Sequence, residues 1–279
     1  MSPHPLYLGT CTWNYDSWAG LVYDRQASTA AEYLRQYAQR YNAVEIDSWF
    51  YHMPNGREVT AYKDAVGPEF RFTCKVPQEI CLTHLRGKPG EALAPNPHFL
   101  SLDLLSTFLD TVSPLFGQIA AVMFEFEYLN KQKCPSLNAF IEKLGSFFAK
   151  APRGMPYALE PRNANYLKPQ YFQFVQQQGL IHVLSEKQYL PHIYDVYDQF
   201  TAYFGDTVVI RLLGGDRKAI EAKTGNSWDR LVEPKDDLAA VARMIAQMRE
   251  TRVVITMANN HYEGSAPLTL KRLLELLSV

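Results

Sequence analysis

Short apolar runs alternate along this chain with longer segments whose apolar side chains recur at helical spacing. LYLGTCTW (Leu6–Trp13) reads as a strand. TAAEYLRQYAQRY (Thr29–Tyr41) reads as a helix, with Leu34, Tyr37, Ala38 and Tyr41 on one face and Thr29 and Glu32 as a capping box. AVEIDSWF is a second strand, REVTAYKDAVG a helix and FRFTCKVP (Phe70–Pro77) a third strand. A long loop containing Pro and His precedes the helical LSLDLLSTFLDTVSPLFG and the strand IAAVMFEFE. NAFIEKLGSFFAKAP then leads into YALEPRN, KPQYFQFVQQQG into LIHVLSEK, a Tyr-rich segment into VVIRLLGG, and DDLAAVARMIAQMRE into RVVITMANN, before SAPLTLKRLLELLSV closes the chain.

Eight strands, each followed by a helical or linking stretch, predict an α/β fold of the (β/α)8 TIM-barrel class, in a chain of 279 residues against the typical ~250. A doubly wound open sheet would usually carry a glycine-rich phosphate turn after an early strand, and GTCTWNY is not one. No Ser/Gly/Pro-rich linker or change of composition divides the chain, so residues 1–279 are expected to form a single domain.

The strand period raises a chemical question at Glu45 and Asp47. Two residues apart in a strand, they share one face, and carboxylates are rarely buried unless paired. In a barrel, inward positions near the C-terminal strand ends face the mouth, where active sites of this fold lie. Charge recurs at that level. Lys75 ends strand three, Glu125 and Glu127 strand four, Glu160 and Arg162 strand five, and Glu186 or Lys187 strand six; Arg211 lies in strand seven, and Asn259 and Asn260 end strand eight. The expected reacting groups are Glu45, Asp47, Lys75 and Glu160. The expected ligand contacts are Trp13, Tyr15, Tyr51, Arg162, Arg211, Asn259, Asn260 and His261.

Each has a plainer reading. Glu45 with Lys75 could be a buried ion pair, and Glu160 with Arg162 could pair with neighbours. Glu125 and Glu127 read as solvated, the usual state of carboxylates. Trp13, Tyr15, Trp18, Trp49, Phe50 and Tyr51 could form a hydrophobic lid as well as a stacking wall. His84 and His261 read as loop histidines.

Charge and composition narrow the partners. Lys plus Arg is 28 against 29 acids, a net charge of -1, so nothing suggests a surface built to coat nucleic acid; nucleic acid is a possible partner and a small molecule the favoured one. No apolar run approaches the ~20 residues needed to span a bilayer, and MSPHPLYLG lacks the regions of a signal peptide, so no membrane association is expected. Cys11, Cys74, Cys81 and Cys134 have no zinc-like spacing and read as reduced thiols of a cytoplasmic protein. Nothing in the sequence specifies an oligomeric state.

GTCTWNYDSWAGLVY, VEIDSWFYHMP, FRFTCKVPQEICLTH, ALEPRN, VVIRLLGG and ANNHYEGSAP, in this order, resemble the YecE-like family of TIM-barrel proteins of unknown function, from about Leu8 to Leu277. The resemblance implies the barrel and assigns no activity. Three places depart from the family pattern. Phe124-Glu125-Phe126-Glu127-Tyr128 stands where Phe-Gln-Leu-Pro-Pro is common, Arg211-Leu212-Leu213-Gly214 where Arg-X-His-Gly is common, and Asn165-Tyr166 in place of Ser-Trp. A rim histidine and tryptophan implied by the family are therefore absent.

Three chemistries fit such a mouth. In the first, Arg162, Arg211 and Lys75 hold a phosphate or carboxylate, Glu45 or Glu160 moves a proton by acid–base or hydrolytic chemistry, and the asparagines hold hydroxyls. Gly214 and Gly215 beside Arg211 would let the backbone approach the anion. In the second, Glu45, Asp47 and Glu160, with His261, bind a divalent metal that activates water, as in metal-dependent phosphodiesterases and endonucleases. No H-x-H, H-E-x-x-H or D-x-D spacing supports it and cations alternate with the acids, so neither metal nor cofactor is expected. In the third, the mouth binds a small molecule without turnover. Nucleophile-elbow, P-loop and dinucleotide fingerprints are missing.

Overall fold

The strands are β1 (Leu6–Thr10), β2 (Ala43–Ile46), β3 (Arg71–Lys75), β4 (Ile119–Glu125), β5 (Tyr157–Glu160), β6 (Ile181–Lys187), β7 (Thr207–Gly214) and β8 (Val253–Ala258). All pair in parallel, in the order β1-β8-β7-β6-β5-β4-β3-β2. This computed structural model describes residues 3–85 and 93–278, so part of the loop expected after the third strand, residues 86–92, lies outside the described residues. The helices are α1 (Ala30–Tyr37), α2 (Gly56–Lys63), α3 (Gln78–Cys81), α4 (Leu102–Val112), α5 (Leu137–Phe148), α6 (Pro169–Gln177), α7 (Ile193–Phe200), α8 (Arg217–Thr224), α9 (Leu238–Met248), α10 (Asn260–Glu263) and α11 (Ala266–Leu277). This is the expected (β/α)8 barrel. None of the helices is long and apolar enough to cross a membrane.

The ladder runs unbroken from β1 through β8 to β2, and side chains bridge the seam between β1 and β2. Asn42 accepts from the Leu8 N–H (2.8 Å) and donates to the Leu6 carbonyl (2.9 Å). The Tyr37 hydroxyl accepts from the Thr10 N–H (2.8 Å) and donates to the Ala43 carbonyl (3.1 Å). The strands approach so closely that a Cβ at Gly9 would sit 1.9 Å from the Ala43 oxygen, which leaves glycine as the only fit.

Alternation sorts the strands into two cores. Val44, Phe72, Val122, Leu184, Ile210 and Val254 face the helices, in the larger apolar cluster. Ala43, Ala121, Ala158, Val183, Val209 and Ile255 face inward as a small-residue floor. Inward positions nearer the C-terminal ends include Glu45, Lys75, Glu125, Glu160, Ser185 and Arg211, with Met123 between Ala121 and Glu125, so the barrel becomes ionic as it opens.

Some element boundaries differ from the sequence reading. The first helix stops at Tyr37; Thr29 caps it by accepting from the Glu32 N–H, but Glu32 returns its bond to the Ser28 N–H rather than to Thr29. The second strand ends at Ile46, and Ser48–Phe50 is a 3-10 turn. Helix α8 was not expected, because it buries only Ile220 and Thr224 and shows no apolar stripe.

Candidate functional site at the barrel mouth

One ion-pair network fills the mouth. The Arg211 guanidinium donates from Nε and Nη2 to both Glu45 oxygens (2.8 and 2.7 Å) and from Nη1 to Glu160 (2.6 Å) and Glu125 (3.2 Å). Lys75 Nζ meets Asp47 at 2.5 Å and Glu125 at 2.7 Å, with Glu45 at 3.8 Å. Arg162 Nη2 lies 3.0 Å from both Glu125 and Glu160, and the Ser185 hydroxyl donates to Glu160 at 2.6 Å. Four carboxylates thus surround three cations drawn from the ends of β2, β3, β4, β5 and β7.

The network has a buried tier and an accessible one. Glu45 and Glu160 have fully buried side chains and Arg211 is 2% exposed, whereas Asp47 is 32%, Glu125 19% and Arg162 13% exposed. Glu45 and Glu125 shift in opposite directions. Burial raises the Glu45 carboxyl above its usual value although Arg211 and Lys75 oppose it. Burial also acts upward on Glu125, but Lys75, Arg162 and Arg211 together hold it well below the carboxylate range. Lys75 is likewise desolvated and faces Arg211, yet Glu125, Asp47 and Glu45 raise it overall.

The sequence-derived candidates fall into three groups. Glu45, Asp47, Lys75, Glu160, Arg162 and Arg211 come together in the network. Asn259, Asn260, His261 and Tyr15 stand beside it with their polar atoms engaged. Asn259 Oδ1 accepts from the His261 N–H (2.9 Å) and lies 2.7 Å from His261 Nδ1, and Asn260 Oδ1 accepts from the Ala266 N–H (2.9 Å), starting α11. His261 Nε2 approaches Glu221 (3.2 Å); burial lowers its pKa, against the Glu221 carboxylate. The Tyr15 ring tilts against Trp18 at 4.9 Å, and burial pushes its hydroxyl up to about 12, opposed by a hydrogen bond with Asn260. Tyr51 is an exposed ring packed edge-on against Phe50 (5.3 Å).

Two of the expected ligand contacts are not placed to meet a ligand. Trp13 is buried; its Nε1 donates to the Ala30 carbonyl (2.7 Å) and its ring meets Tyr62, because the chain turns inward after β1 to cover α1 and α2. Arg211 lies beneath the accessible tier with its donors committed to three carboxylates. Gly214 beside it serves packing, with φ +80 and a Cβ that would sit 2.3 Å from the His261 oxygen, whereas a Cβ at Gly215 would meet nothing within 4 Å. The neighbouring α8 N-terminus is closed by Asp216, which accepts from the Lys218 and Ala219 N–H groups (2.9 and 3.2 Å).

Glu125 corrects the solvated reading, because it binds Lys75, Arg162 and Arg211 at once. Glu127, one pleat further out, is a rim residue paired with Lys133 (2.6 Å). Ser185 is not marked by the sequence, and Lys187 is marked there only as an alternative to Glu186 at the end of strand six, although both have the inward parity of Val183. Lys187 is half-buried; burial first, then Arg162, lowers its pKa. Arg162 Nη1 is buried with no hydrogen-bond partner among the described residues.

The acids of the metal reading are each held by Lys75, Arg162 or Arg211 and do not form a ligand set with His261. Among the described residues the grouping of ligand type is Glu186, His192 and Asp237, outside the barrel. Glu186 there accepts from the Ile193 N–H (3.0 Å) and His192 lies 3.0 Å away, an arrangement that caps α7. The positive N-terminal ends of α7 and α9 oppose a cation at that point.

Residues 7–279 match the family described as "Protein of unknown function DUF72". Among solved structures the chain is similar to a DUF72 family protein from Enterococcus faecalis, at 20% identity and a TM-score of 0.70 over 98% of this chain and 96% of that one. It is similar to another from Thermotoga maritima at 19% identity and a TM-score of 0.70, over 99% and 100% of the two chains. A methyltransferase from Methanosarcina mazei follows at 10% identity and a TM-score of 0.54, over 100% and 94%. At these identities the likeness is one of fold. No curated protein matches the chain.

Proposed function

We propose, from the premise that this chain belongs to the DUF72 family, that its barrel mouth takes a small anionic, phosphorylated or carboxylated ligand and acts on it by acid–base or hydrolytic chemistry. The observation that carries this reading is Arg162. Its Nη2 is spent on Glu125 and Glu160, while Nη1 is buried without a partner among the described residues. A buried unsatisfied guanidinium N–H costs on the order of 1–3 kcal/mol or more, and a ligand oxygen would remove that cost.

The roles follow from accessibility. Glu45, Glu160 and Arg211 are the buried tier and hold the mouth in shape. Asp47, Glu125 and Arg162 line the accessible tier, where Glu125 stays ionised and favours positive charge developing on a ligand. His261, kept toward its neutral form by burial, is suited to accept a proton rather than to give one. Strong buried charge pairing contributes little net stability, so a network of this size is expected at a functional site rather than as a device of folding.

Calorimetric titration with sulfate at low salt tests the reading. Saturable binding by the native chain that is lost in Arg162→Gln, with the fold intact by circular dichroism, is the expected result. Equal heats in the two proteins contradict it.

A further inference from the structure

We propose that Lys187 is an amine nucleophile that condenses with a small carbonyl compound bearing a carboxylate, the 2-oxo acid class, while Arg162 holds the anionic end. The inference rests on the reading of the mouth as an anion site and names its substrate class.

Position comes first. Lys187 is the last residue of β6 and shares the inward parity of Val183 in the barrel floor and Ser185 in the network. Glu186, on the opposite parity, turns outward to α7. The ladder shifts between Glu186 and Lys187, so Lys187 pairs with Gly214 at the rim. Its ammonium lies within electrostatic reach of Arg162, Glu125, Glu160 and Arg211.

The comparison with Lys75 then separates two kinds of lysine in one mouth. Lys75 is bound by Asp47 and Glu125 with Glu45 nearby, and its charge is fixed. Lys187 makes no ion pair or side-chain hydrogen bond among the described residues. The acids that could hold its proton are already shared among Arg162, Arg211 and Lys75. Desolvation and the neighbouring guanidiniums favour the free amine, which is how lysines are activated as nucleophiles toward carbonyls.

The chemistry balances without a redox partner. The amine lone pair attacks the carbonyl carbon, a C–N bond forms, and the C=O electron pair moves to oxygen, which takes up a proton as the nitrogen gives one up. Loss of one water, its oxygen coming from the carbonyl, leaves the C=N bond of an imine. Water carries the protons between nitrogen and the departing oxygen. The imine nitrogen can be protonated, and the ionised Glu125 favours that cation.

The test uses glyoxylate, the smallest carbonyl carboxylate, with borohydride to reduce the imine and peptide mass spectrometry to locate it, on the full chain and on Lys187→Arg, which keeps the charge but not the ready amine. A single adduct on Lys187, lost in Lys187→Arg and suppressed by sulfate, is expected. Adducts spread over exposed lysines, or undiminished in Lys187→Arg, overturn the inference. Sulfate heats measured on the same samples keep the two readings apart. Sulfate binding without a Lys187 adduct overturns the amine and leaves the anion site standing, whereas a Lys187 adduct that sulfate neither suppresses nor binds beside supports the amine and removes the anion site.

Discussion

Arg211 and Glu45 meet edge to edge across 166 residues of sequence, Nε to Oε2 at 2.8 Å and Nη2 to Oε1 at 2.7 Å, and both are out of solvent. The pair joins β2 to β7 across the barrel. It makes the mouth a closed electrostatic frame, in which moving one charge exposes another.

Breaking that pair should therefore cost more than the pair contributes. Arg211→Met removes both short hydrogen bonds of the buried Glu45, whose nearest remaining cation is Lys75 at 3.8 Å, and leaves Glu160 to Arg162 and Ser185, so a loss of about 3–5 kcal/mol in urea denaturation is expected. Adding Glu45→Leu should restore part of it, with the coupling read from the double-mutant cycle. Additive losses would show that the two side chains do not act as a unit.

Much of this frame was legible in the sequence. Period-two alternation placed Glu45 and Asp47 on one face, and the recurrence of charge at strand ends pointed to a common mouth. Partner choice was not legible. Glu125 looked solvated because nothing local shows that Lys75, Arg162 and Arg211 converge on it. Trp13 looked like a rim aromatic because its burial depends on where the chain turns after β1, which α1 and α2 decide. At the end of strand six the sequence leaves Glu186 and Lys187 as alternatives, and only the register of β6 decides that Lys187 is the inward one.

The seam between β1 and β2 gives a second prediction. Tyr37→Phe removes the hydroxyl that accepts from the buried Thr10 N–H, and should destabilise by about 1–3 kcal/mol in chemical denaturation. Gly9→Ala should be worse, because its Cβ would overlap the Ala43 carbonyl. Wild-type midpoints in both variants would mean that the seam is held by other contacts.

His182 predicts a pH dependence of stability. It is buried among Tyr171, Phe172 and Phe204, and burial pulls its pKa down to about 3 from an ordinary 6.5. Below pH 6.5 the unfolded chain takes up a proton that the folded chain refuses, so stability is full above that pH and falls as pH drops toward 3. From pH 7 to pH 5 the loss is about 2 kcal/mol. Denaturation curves of His182→Phe should lack this part of the slope, and an unchanged slope would assign the dependence to other groups.

The proposed chemistry centres on an anion held by Arg162 beside Lys187. Its most direct test is anomalous diffraction from a crystal soaked in selenate, a tetrahedral oxyanion that reports its own position. The account predicts a selenium peak at the C-terminal mouth within hydrogen-bond distance of Arg162 Nη1 and beside Lys187. A map with selenate only at surface lysines and helix ends, and none at Arg162, would contradict it.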